Sequence, residues 1–167
     1  MRSGALDDAR VRVELLYGRI SSMSPQGEPR AYSVARLARM LIRALGDDRA
    51  LVRVQAPLAA PDDSEPEPDI AVVAPGDYLC GHPATAWLII EVAESSLARD
   101  RSKARLYAAA AVPEYWIVNL ADSIIEVYPE PLGDRYTSMT RHDRGAVLRP
   151  AHLAEIAIRD VLPAREV

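Results

Sequence analysis

The sequence predicts an α/β chain, more narrowly an α+β domain: a central mixed β-sheet flanked by helices and preceded by an N-terminal β-hairpin. Three observations predict it. Short apolar runs, several alternating with period two, recur along the chain, as half-buried strands require. Two longer segments break that rhythm, one with helical period and one rich in Ala. The 13 Pro and 8 Gly punctuate the chain too often for a long coiled coil or helical bundle. A length of 167 residues suits one domain, so 1–167 is read as a unit. With 49% hydrophobic and 26% charged residues it can bury a core and is not a disordered composition.

Taken in order, VRVELLY (11–17) alternates Val11, Val13 and Leu15 before Gly18, and Ile20 and Met23 resume the pattern. That reads as a hairpin turning at Tyr17-Gly18-Arg19, with a loop over 21–29. Over 30–45, Val34, Leu37, Ala38, Leu41, Ile42 and Leu45 repeat at helical spacing, and Gly46 is a natural stop. ALVRVQAPL (50–58) reads as a strand and AAPDDSEPEP (59–68) as a Pro-rich acidic loop. Asp69 opens the strand DIAVV, and residues 75–85 are a turn-rich connection. AWLIIEV (86–92) is nearly all apolar, the mark of a strand covered on both faces. Residues 96–111 are helical and end before Pro113. EYWIVN (114–119), IIEVYPE (124–130) and stretches near 134–140 and 156–161 supply further strands.

The net charge of −4 argues against a generic basic coat for nucleic acid, but the charge is unevenly spread. From Pro61 to Glu94 there are eight acids and no Lys or Arg. The flanking helical segments are basic, through Arg36, Arg39 and Arg43 in the first and Arg99, Arg101 and Arg105 in the second. These six are candidate phosphate contacts. The one Cys, Cys80, forms no intramolecular disulfide, which is compatible with a reducing compartment. The N-terminal segment has no apolar leader core, and no run approaches the roughly 18 apolar residues of a membrane span. A cytoplasmic protein without a membrane partner is expected. His82, His142 and His152 lack metal-ligand spacing, which makes zinc improbable.

Two acids stand apart from the acidic loop. Glu91 lies inside WLIIEV, where a carboxylate is costly unless compensated. Asp69 heads the preceding strand, so pairing through the 75–85 connection can bring both to one end of the sheet. Converging carboxylates repel, and a divalent ion relieves that repulsion. Oxygen-only ligation suits magnesium or manganese. The chain has 19 Arg and one Lys, and that Lys, Lys103, lies twelve residues after Glu91 on the following helix. Asp100 and Tyr107, at i−3 and i+4, share its face. An ammonium beside a two-carboxylate metal site can orient a water or stabilise a phosphoryl oxygen, as a compact charge where Arg is a broad fork. The structural alternatives are a turn-capping Asp69, a buried ion pair of Glu91 with Lys103, and a surface pair of Lys103 with Asp100.

The run EVAESSLARDRSKARLYAAAAVPEYWIVNL (91–120) resembles the signature of the Uma-type putative restriction endonuclease family, a branch of the PD-(D/E)XK nuclease superfamily. EPEPDIAVV (65–73), RVELLYGRISSMSP (12–25) and VRVQAPLAAP (52–61) resemble its Pro-Asp strand, N-terminal hairpin and intervening strand. The resemblance implies a restriction-endonuclease-like fold and a metal-dependent phosphodiesterase. It implies Asp69 and Glu91 as metal-binding acids, the Val92 carbonyl as a further ligand, and Lys103 as the catalytic lysine. The superfamily usually carries Lys two residues after the second acid, where Ala93 stands here. Glu14 and Gln55 match recurrent polar positions and would support the site, alongside Asp100 and Tyr107. The hairpin turn reads Gly18-Arg19 where the family commonly has Gly-Glu. Pro29-Arg30-Ala31 stands where its loop often has a His.

The leading expectation is a magnesium- or manganese-dependent endodeoxyribonuclease, a phosphodiester hydrolase acting on DNA, with a homodimer possible as in many superfamily members. The alternative is an inactive or weak member serving as an interaction or assembly module. A third class, a small-molecule enzyme using Tyr107, His142 or Cys80, has no supporting motif: no Gly-rich phosphate loop, Gly-x-Ser-x-Gly or Cys-x-x-Cys is present.

Overall fold

The computed structural model describes residues 12–23, 26–46, 49–153 and 162. Its elements run β1 (Val13–Leu16), β2 (Arg19–Ser22), α1 (Glu28–Leu45), β3 (Leu51–Val54), β4 (Ile70–Val73), β5 (Leu88–Ala93), α2 (Leu97–Ala109), β6 (Glu114–Asn119), β7 (Ile124–Pro129), β8 (Pro131–Leu132), β9 (Arg135–Tyr136) and β10 (Thr140–Asp143), with a 3-10 turn at Ala151–Leu153. Six strands form the central sheet in the order β10-β7-β6-β5-β4-β3. Only β5 and β6 run parallel, joined by α2; the other neighbours are antiparallel. The mixed sheet with two helices and a leading hairpin is the predicted architecture.

Alternation along the central strands sorts their side chains between two cores. Ile70, Val72, Leu88, Ile90, Val92, Trp116 and Val118 pack with the α1 stripe of Val34, Leu37, Leu41 and Leu45. Ala71, Val73, Ile89, Ala93, Tyr115 and Ile117 pack with Tyr107 of α2 on the other face. All six residues of β5 are buried, as its apolar run requires of a strand covered on both sides. Glu91, between Ile90 and Val92, therefore belongs to the α2 face by strand alternation.

The hairpin turns on Tyr17 and Gly18, with φ of 52° and 70°, between paired Leu16 and Arg19. Two left-handed residues in a two-residue loop give the twist that antiparallel strands need. The hairpin is docked rather than free. Leu15 and Glu65 exchange backbone hydrogen bonds of 3.2 and 2.8 Å, so β1 lies against the acidic loop. Asp62, Asp63 and Glu65 themselves stay exposed.

Several boundaries differ from the sequence expectation; β2, for one, runs through Ser22 into the expected 21–29 loop. The strand expected over 50–58 stops at Val54 because Gln55 takes a left-handed φ of 50° and turns the chain. The first helix begins at Glu28, with Pro29 in its first turn, where the missing N–H costs nothing. The stretch near 134–140 holds only the short β9, paired with β8 just before it, and the first residue of β10. The strand expected near 156–161 lies outside the described residues.

Candidate active site

The register pairs Ile70 with Ile90, so one step back along β4 Asp69 stands across from Glu91. Like charges in that position repel. The Asp69 amide donates to Glu91 Oε2 at 3.3 Å, and the Val92 amide donates to Asp69 Oδ2 at 2.9 Å. Both carboxylates are buried, at 0% and 1% exposure, so compensation has to come from the chain.

For Glu91 it comes from α2. Lys103 Nζ lies 3.0 Å from Glu91 Oε1, and the Tyr107 hydroxyl donates to the same oxygen at 2.8 Å. The i, i+4 spacing of Lys103 and Tyr107 delivers both to one point. Lys103 also lies 2.7 Å from Glu14 Oε2, which β1 brings in and the Glu67 amide contacts at 3.4 Å. Asp100, one turn before Lys103, accepts from Ser96 Oγ at 2.5 Å. Lys103 thus forms the buried ion pair with Glu91 that was one structural alternative and bridges it to Glu14, rather than the surface pair with Asp100 that was another.

For Asp69 compensation comes from α1 and β3. The Arg30 guanidinium donates from Nη2 to both Asp69 oxygens at 3.0 Å and from Nε to Oδ2 at 3.2 Å. The Gln55 amide, turned inward by the left-handed backbone, reaches Oδ1 at 3.3 Å. Each Asp69 carboxylate oxygen therefore has at least two donors.

Burial and the neighbouring charge of Glu91 push the Asp69 carboxyl up to about 6, against the opposing pull of Arg30 and the Val92 amide. Asp100 is pushed up to about 7 by the same two causes, with the Ser96 hydrogen bond opposing them. Burial works against the Lys103 ammonium, but Glu91 and Glu14 outweigh it and raise its pKa. Burial, then Glu91, raises Tyr107 well above the usual phenol range, so it serves as a hydrogen-bond donor.

The buried acids Glu14, Asp69, Glu91 and Asp100 outnumber the buried cations Arg30 and Lys103 by two when all are ionised. Glu14 Oε1 is buried and has no hydrogen-bond partner. Hard oxygen donors, an excess of negative charge and an orphaned carboxylate oxygen fit a divalent cation of the magnesium type. No three His, Cys, Asp or Glu among the described residues converge on one ion position. An ion here would therefore be held by one or two carboxylates and complete its shell with water, as magnesium does.

The fold thus brings together Glu14, Gln55, Asp69, Glu91, Val92, Asp100, Lys103 and Tyr107. The candidate phosphate contacts lie elsewhere. Arg39 and Arg43 are exposed on α1, and Arg36 is partly so. On α2, Arg99 donates to the Ser22 carbonyl at 3.0 Å, Arg101 is bonded to buried Glu126, and Arg105 pairs with Asp134 at 2.7 Å. Tyr107 bonds Glu91, His142 pairs with Thr140, and Cys80 is exposed, so no common site of the three appears among the described residues. The residue that sequence reasoning missed is Arg30. Its signal was available: it lies four residues before Val34, on the apolar stripe of α1, where an unpaired guanidinium is not tolerated.

A family model described as "Uma2: Putative restriction endonuclease" matches residues 3–162. Among solved structures, the chain is similar to one described as a putative nuclease belonging to DUF820 from Anabaena variabilis, with a TM-score of 0.73 at 16% identity. That match covers 89% of this chain and 88% of the other, and at this identity it speaks for the fold. No curated protein matches the chain.

Proposed function

The chain belongs to the Uma2 family of putative restriction endonucleases, and from that premise we propose that it is a divalent-metal-dependent nuclease hydrolysing DNA phosphodiester bonds. The observation that carries the reading is the buried convergence of Asp69, Glu91 and Lys103, with acids in excess of cations. Asp69 and Glu91, with the Val92 carbonyl, would hold magnesium or manganese. Such an ion supplies polarisation of the scissile phosphate and a bound water acidic enough to ionise near neutral pH.

The chain's own residues do the rest. Tyr107 fixes Glu91 by donating to Oε1, so the carboxylate keeps one orientation. Gln55 and the Val92 amide orient Asp69 in the same way. Lys103, anchored by Glu91 and Glu14, presents a compact ammonium that positions the attacking water or steadies charge on a phosphoryl oxygen. Attack in line expels a 3′-oxygen, which leaves with a proton from solvent.

The test is nicking of supercoiled plasmid by purified protein with magnesium or manganese. Asp69→Asn, Glu91→Gln and Lys103→Ala each abolish it while circular dichroism stays that of the folded chain. Variants that cut as well as wild type would show the site assignment to be wrong.

One observation favours a second reading, a non-enzymatic module in which the cluster is purely structural: both Asp69 oxygens are already saturated by the chain's own donors. Absence of manganese binding at millimolar concentration in both wild type and Arg30→Gln supports that module.

A further inference from the structure

We propose that Arg30 is a tethered substitute for the divalent ion at Asp69: it holds the carboxylate in the metal-free state and is displaced from it when metal binds. The inference rests on the metal-dependent reading above.

The geometry carries it. Arg30 is only 5% exposed, yet it sits in the first turn of α1, on an element that contributes no other polar side chain bonded to the Asp69–Glu91 pair. Its fork spans both Asp69 oxygens, with three contacts of 3.0 to 3.2 Å. A guanidinium fork and a hard cation compete for the same carboxylate lone pairs. The remaining donors to Asp69, the Val92 amide and Gln55, are neutral. Arg30 is thus the one full positive charge bonded to this carboxylate among the described residues. Lys103 is separately committed to Glu91 and Glu14. With two donors on Oδ1 and three on Oδ2, Asp69 offers an ion no free lone pair until the guanidinium gives way. The residue's place in the helix makes exchange feasible. It is in the first turn of α1, where the backbone N–H has no partner within the helix, and a change of its side-chain rotamer leaves the helix hydrogen bonds intact.

Arg30 acts through Asp69 and is therefore a positioning residue. Calorimetric titration with manganese reads its effect without any nuclease assay. Arg30→Gln is expected to bind manganese at least about tenfold more tightly than wild type. Adding Asp69→Asn to Arg30→Gln cancels the gain. A folded Arg30→Gln that binds manganese no more tightly than wild type overturns the proposal. So does a gain that survives Asp69→Asn.

Arg30→Gln leaves Asp69 short of a cation and can lose its fold without metal, so a second measurement uses the wild type. The Arg30 Nε–H and Val92 amide resonances are followed by NMR as diamagnetic magnesium is added. Both shift together, and the Nε–H loses its hydrogen-bonded position as magnesium saturates the site. An Arg30 signal that stays fixed while Val92 shifts overturns the proposal, and so does a titration in which neither moves. Failure of plasmid nicking with the manganese gain intact removes the nuclease reading and leaves the exchange standing.

Discussion

Lys103 Nζ lies 3.0 Å from Glu91 Oε1, and both groups are almost wholly buried. The ammonium also reaches Glu14 at 2.7 Å, so it is the bolt between β5, α2 and the docked hairpin. Removing one member of a buried pair leaves an uncompensated charge, which costs far more than the pair gains. Lys103→Met is therefore expected to lower unfolding stability by about 3–5 kcal/mol, read from urea denaturation. Glu91→Gln on the same background costs less than it does alone, because the repulsion it relieves is then larger. A Lys103→Met protein as stable as wild type contradicts this account.

Stability should fall as pH rises through mild acidity, for an explicit reason. Asp69 and Asp100 sit at about 6 and about 7 in the folded chain, above their ordinary 3.8. Between those limits the folded form keeps protons that the unfolded form gives up. The associated stability is fully present below the ordinary carboxylate pKa and is lost as pH climbs through the folded values. Urea midpoints at about pH 4.5 and about pH 8 measure the slope. Asp100→Asn should flatten it, and an unchanged slope in that variant counts against a raised Asp100.

Divalent ion should stabilise the folded chain by mass action, by about 2.7 kcal/mol at a hundredfold excess over Kd. Thermal unfolding with manganese, then with a chelator, reads the gain and its reversal. Asp69→Asn should show no gain, and an equal gain in that variant sends the ion to another site.

For nucleic-acid binding the structure separates the two helices. Arg39 and Arg43 project from α1 into solvent, whereas Arg101 and Arg105 are already committed to Glu126 and Asp134. Replacing Arg36, Arg39 and Arg43 together by Gln should make the salt dependence of DNA binding shallower, by about 0.9 in log–log slope for each phosphate no longer neutralised. Arg101→Gln should chiefly lower stability, since it strips the principal cation from buried Glu126. A steeper loss of DNA binding from the α2 arginines than from the α1 set reverses the assignment.

Much of the fold is legible in local pattern. The apolar run at 86–92 announces a strand covered on both faces, and Glu91 within it announces a compensated charge, because both follow from burial alone. Lys103 stands out only against a background of 19 Arg. Glu14 and Gln55 carry no such mark. Their places depend on the hairpin docking to the acidic loop and on one left-handed residue, neither of which hydrophobic periodicity reports. Arg30 is legible in principle, as a charge on the apolar stripe of α1. Its partner is not, because only the tertiary packing lays the start of that helix over the start of β4.

The single lysine also makes the protein its own probe. A protease that cleaves only after lysine has one bond to cut in the whole sequence, and that bond lies within α2, beside a side chain 2% exposed. Cleavage requires α2 to unravel and the Glu91 and Glu14 contacts to part, so its rate counts the local and global openings that take this cluster apart. One band splitting into two on a gel therefore times the opening of the cluster, with or without metal or DNA, and no label has to be introduced.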